Sequence, residues 1–157
     1  MSESHPMIYH IVIETDFRAQ FDGLVYLPPG LHDDGFVHCA FEPSVVPVAN
    51  DYYAGAAGRV LLLEIDPTRL TSETRYEAAA PVLGGGSSHL ASASQFPHVY
   101  GPIDREAITG VGELGRTAGG FEWPGGFVPL DTFLTADRQA RCPTTRGSAG
   151  RSRTPSW

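Results

Sequence analysis

The strongest constraint on this chain is a series of short apolar runs, none of which has the length or the spacing of a long amphipathic helix. Met7-Ile8-Tyr9-His10-Ile11-Val12-Ile13, Phe36-Val37-His38-Cys39-Ala40, Arg59-Val60-Leu61-Leu62-Leu63-Glu64-Ile65 and Ile108 to Leu114 are rich in β-branched, aromatic and aliphatic residues. Such runs read as strands. Arg75-Tyr76-Glu77-Ala78 is a further candidate strand. Thr15 and Asp16 offer N-caps for a short helix through Phe17 and Phe21 that Gly23 ends. Pro28-Pro29-Gly30 and Asp33-Asp34-Gly35 read as two turns. Pro43 suits the first turn of a second helix, over which Val45, Val46, Val48, Ala49, Tyr52 and Tyr53 recur; Pro47 must sit in its first turn or bend it. Asp66 to Leu70 reads as a capped single turn. Without a regular β-α alternation, the pattern predicts an α+β fold and argues against a doubly wound parallel sheet.

At 157 residues the chain holds one domain, and 41% hydrophobic content is enough for a core. That domain is expected over residues 7–115, after a tail at 1–6. A Gly/Ser-rich excursion at 79–94 is read as flexible. Residues 116–136 keep apolar content and are expected to lie along the domain, and 137–157 are expected to be a disordered tail. Gly84-Gly85-Gly86 is no phosphate loop, since it lacks the following Lys and the strand-helix frame.

Charge is unevenly spread. Residues 1–136 carry six Arg against seventeen Asp and Glu, a net −11, whereas residues 137–157 carry five Arg and one Asp, a net +4. The acidic body disfavours nonspecific nucleic-acid binding. The chain has no Lys, which removes Schiff-base and Walker-lysine mechanisms. No apolar run reaches the length of a membrane span and no export signal is evident, so a cytoplasmic location is the default. Cys39 and Cys142 have no metal-site spacing. Cys39 reads as a small buried hydrophobe.

The residues that could carry chemistry are histidines. His10, His38 and His98 sit in apolar segments, and burying imidazole requires partners for both ring nitrogens. Alternation puts His10 on a face with Ile8 and Val12, and His38 on one with Phe36 and Ala40. A common cleft would explain all three; three separately satisfied core histidines is the plainer reading. Glu77 could supply a cleft carboxylate, but its spacing does not position it.

Met7 to Ile11, Gly35 to Ala40, Val60 to Pro67 and Phe96-Pro97-His98-Val99-Tyr100-Gly101-Pro102-Ile103 resemble, in order, the blocks of the bacterial domain-of-unknown-function 952 family, over about residues 7–114. The resemblance implies an α+β fold similar to ADP-ribosyltransferases, a split antiparallel β core with short helices and an NAD-sized cleft. It implies that His10, His38 and His98 line that cleft, with Tyr100 beside them. Many ADP-ribosyltransferases place a Glu where the third histidine block offers His98. Three readings follow. The first is an NAD- or nucleotide-processing transferase, with NAD as substrate: His10 bonds a ribose hydroxyl, His38 positions the substrate, His98 is general base or phosphate contact, and Tyr100 or Tyr52 stacks on a ring. The second is a non-catalytic module binding a nucleotide-like small molecule. The third is a metal site of the three imidazoles.

Overall fold

A strand that is apolar on both faces needs cover on both sides, and this requirement organises the molecule. The computed structural model describes residues 6–77 and 95–140. The excursion expected at 79–94 and most of the two terminal tails fall outside the described residues.

Strand β1 (Ile8–Ile13) is buried over all but its last residue. It pairs antiparallel with β4 (Val60–Ile65), which pairs in turn with β8 (Ile108–Glu113). A second three-stranded antiparallel sheet has the order β3 (Val37–His38), β6 (Phe96–Tyr100), β5 (Glu73–Glu77). Two short ladders, β2 (Val25–Tyr26) with β7 (Ile103–Asp104) and β9 (Gly115–Thr117) with β10 (Gly120–Glu122), complete the β structure among the described residues. The two larger sheets are joined at a bridge where Tyr9 and Ala40 exchange backbone hydrogen bonds of 2.9 and 2.8 Å. With short helices and antiparallel sheets, the fold is α+β, as the sequence pattern predicts.

Alternation sorts the core into two halves. Ile8, Val12, Leu61, Leu63, Val37, Cys39 and Val99 point to one side, where α1 (Glu14–Gln20) delivers Phe17 and α4 (Leu130–Ala140) delivers Leu130 and Phe133. Tyr9, Ile11, Leu62, Ala40 and Phe96 point to the other, covered by Val45, Val48 and Ala49 of α3 (Glu42–Tyr52) and by Phe121.

The local structure departs from the sequence reading at two helices. Helix α1 begins at Glu14, directly off the strand, and neither Thr15 nor Asp16 caps it. Glu14 instead favours the helix start as an acidic first-turn residue and accepts from Arg18 one turn on, at 3.0 and 3.1 Å. The segment read as two turns is helix α2 (Pro29–Asp34): Pro29 supplies the fixed φ of a first helical position, and Gly35, at φ 85°, closes the end in the left-handed region. Helix α4 (Leu130–Ala140) buries Leu130 and Phe133 of its first turn in the core.

Gly112 shows how closely the 120s pack on β8. A Cβ there would lie 2.9 Å from Pro124 Cβ and 3.1 Å from the Gly126 carbonyl. Gly112→Ala is therefore expected to destabilise the protein by about 1–3 kcal/mol, the usual range for overpacking, read as a lowered urea midpoint.

Candidate functional site

The register of the second sheet places residues far apart in sequence side by side. His38 on β3 is directly opposite His98 on β6, and His98 is directly opposite Arg75 on β5. Directly paired residues share a face, and so do residues two apart on one strand. One face of this sheet thus carries Phe36, His38, His98, Tyr100, Arg75 and Glu77. The two imidazole rings meet edge-on with centroids 5.6 Å apart, and Phe36 stacks on His98 at 4.1 Å.

Each of these histidines is paired with a carboxylate. His38 Nε2 lies 2.9 Å from Asp34 Oδ2, at the end of α2. His98 Nδ1 lies 2.8 Å from Glu77 Oε1, and Tyr100 donates its hydroxyl to the same oxygen at 2.6 Å. An anionic carboxylate only accepts, so Nε2 of His38 and Nδ1 of His98 are the donors, and these bonds define the tautomers. The bond from Tyr100, then that from His98, holds the Glu77 carboxyl below its ordinary range. The Glu77 acceptor correspondingly raises the Tyr100 phenol. Burial pushes the His38 imidazole down, with Asp34 pulling the other way. Arg75 closes one edge, its guanidinium 4.3 Å from the centre of the Tyr100 ring and its Nη2 3.1 Å from Glu73.

His10 does not join this group. By strand alternation its side chain projects to the side of Ile8 and Val12, the core half that also holds Tyr26 and Cys39, opposite to His38 and His98. Its Nδ1 lies 2.6 Å from the His38 carbonyl oxygen and its Nε2 2.9 Å from the Tyr26 hydroxyl. A carbonyl can only accept, so Nδ1 carries the proton and Nε2 accepts from Tyr26. Both nitrogens are thereby occupied inside the core, and burial above all lowers the imidazole to about 4. The structure brings two of the three rings, His38 and His98, onto one face and places His10 behind them. Among the described residues no three His, Cys, Asp or Glu side chains are grouped to hold a metal ion. Tyr52, half-buried near the end of α3, packs against the core half that contains Phe121. Cys39 is fully buried, and burial pushes its thiol up, as suits a core residue.

Sequence reasoning missed Asp34 and Arg75, named Phe36 only as sharing a face with His38, and could not place Glu77. The signal for Asp34 is its position four residues before His38, across the Gly35 turn. Arg75 and Glu77 alternate on a short strand with few apolar residues, and only pairing with β6 gives them a common address.

The same arrangement of elements occurs elsewhere. The crystal structure of protein CC0527 from Caulobacter crescentus is similar, at a TM-score of 0.59 and 21% sequence identity, covering 82% of this chain and 98% of that one. A double mutant of CC0527 is similar at the same TM-score, with 20% identity and the same coverage. At such identity the likeness concerns the fold. No curated protein matches the chain. No helix among the described residues is long and apolar enough to cross a membrane. The family described as "protein of unknown function (DUF952)" matches residues 11–111, which run from the second half of β1 through most of β8 and hold both paired histidines, and to that family this chain belongs.

Proposed function

We propose that the chain is a cytoplasmic NAD- or nucleotide-processing transferase with an ADP-ribosyltransferase-like split core, and that it works on the face bearing His38, His98, Tyr100 and Glu77. The observation that carries this reading is the Glu77 carboxylate, kept anionic by the His98 and Tyr100 donors, on the face that also bears Phe36 and the Asp34-paired His38. In NAD the bond from ribose C1′ to the nicotinamide nitrogen breaks. Its electron pair leaves with nicotinamide, which becomes neutral, and positive charge develops on the ribose. Glu77 supplies the negative charge that stabilises it. The acceptor, water in the simplest case, adds its oxygen to C1′ and releases one proton, for which Nε2 of His98 is the base. Phe36 and Tyr100 offer ring surface to the nicotinamide, and His38 positions the ligand. His10 and Tyr52 take no direct part.

Incubation with NAD, followed chromatographically, should show nicotinamide accumulating. Glu77→Gln should slow its release about a hundredfold, as loss of one preorganised electrostatic partner does, with an unchanged circular-dichroism spectrum. Thermal stabilisation by NAD without release would instead favour a non-catalytic binding module. A protein that NAD neither stabilises nor contributes nicotinamide to would end the proposal.

A further inference from the structure

The seam between the two larger sheets is closed in an unusual way. Tyr9 and Ala40 pair through their backbones, and a continued antiparallel ladder would next pair Ile11 with His38, two residues along each strand. Side chains take those places instead. The His38 carbonyl accepts from His10 Nδ1 at 2.6 Å, and the Ile11 carbonyl accepts from the Tyr53 hydroxyl at 3.3 Å. Beyond this point β3 leaves β1 and pairs with β6.

We infer that His10 is a positioning residue: inserted in the seam, it grips the His38 peptide from behind and so sets where the His38 side chain meets His98 on the opposite face. Tyr26 completes the device. Its hydroxyl donates to Nε2 at 2.9 Å and anchors the far edge of the ring, while the carbonyl fixes the proton on Nδ1. His38 is then held at three points: its peptide oxygen by His10, its Nε2 by Asp34 and its ring edge by His98. Reactive geometry on one face thus depends on a hydrogen bond made on the other. The catalytic consequence rests on the transferase reading above; the geometric one does not.

Nitrogen-15 NMR of the imidazole rings tests it without any ligand. In the wild-type protein His10 should show a protonated Nδ1 and a bare Nε2; the reverse tautomer would overturn the inference. The carboxamide of Asn places a donor where Nδ1 lies, whereas Leu has none. His10→Asn should leave the His38 and His98 ring signals in place, and His10→Leu should shift both. A folded His10→Leu with both signals unmoved would refute the device. Should His10→Leu fail to fold, Tyr26→Phe serves in its place: the His38 carbonyl still fixes the proton on Nδ1, but the ring loses its second anchor, so the His38 and His98 ring signals should shift, and unmoved signals would refute the device. If nicotinamide release is observed, His10→Leu should lower kcat by about ten- to a hundredfold with KM near wild type, the signature of misplacement. Absence of release in the wild type would refute the transferase reading and leave the NMR result standing.

Discussion

Acidification from pH 7 to pH 4 is expected to cost the fold about 3 kcal/mol through His10 alone. The imidazole titrates at about 4 in the folded protein, against an ordinary value of 6.5. Between those values the unfolded chain binds a proton that the folded chain refuses, so stability rises with pH across this window. The contribution is complete above pH 6.5 and is lost as pH falls toward 4. Desolvation is the main cause; the His38 carbonyl, which favours the charged form, only moderates it. His38 is lowered in the same sense and adds to the loss. Urea midpoints measured at pH 7, 5.5 and 4 should fall steeply for the wild type and less steeply for His10→Asn. A wild-type midpoint constant over that range would show that His10 is not held neutral.

Phe17→Ala is expected to destabilise the protein by about 3–5 kcal/mol, the range for truncating a fully buried aromatic. Phe17 is 0% exposed and lies at the meeting point of α1, β2 and α4. Its ring stacks on Phe21 at 5.4 Å and contacts Tyr26 at 5.3 Å and Phe133 at 6.3 Å. Truncation leaves a cavity that those three neighbours cannot close without moving Tyr26, the donor to His10. The loss should therefore exceed that of an isolated core phenylalanine and also shift the His10 ring signals. Chemical denaturation gives the first readout and NMR the second. A loss under about 1 kcal/mol would mean that α4 does not pack on this cluster.

Strands were legible where burial is two-sided. Val60 to Ile65 is continuously apolar until Glu64, and β1 follows the same logic, so pattern alone locates both. Helix α2 was hidden because Pro28-Pro29-Gly30 satisfies a turn as well as a helix start. Helix α4 was hidden because Leu130 and Phe133 stand among Asp and Thr, too few apolar residues to announce a face. Alternation assigned His10 and His38 correctly to their own strand faces. Whether those faces coincide depends on register, and the Tyr9–Ala40 bridge puts Tyr9, not His10, on the side of Ala40. The His38–His98 pair spans sixty positions, and the Glu77 contact comes from a strand that, among the described residues, pairs only with β6. Long-range pairing of this kind leaves no periodicity to read.

Cys39 lies between His38 and Ala40, where β3 parts from β1, and its backbone N–H donates to the Pro97 carbonyl at 3.1 Å. With the sulfur wholly shielded, an alkylating reagent can reach it only in molecules whose joint has momentarily come apart. In a Cys142→Ser background, the labelling rate becomes a clock for that event, counting how often the two halves of the β framework separate while the rest of the polypeptide stays native.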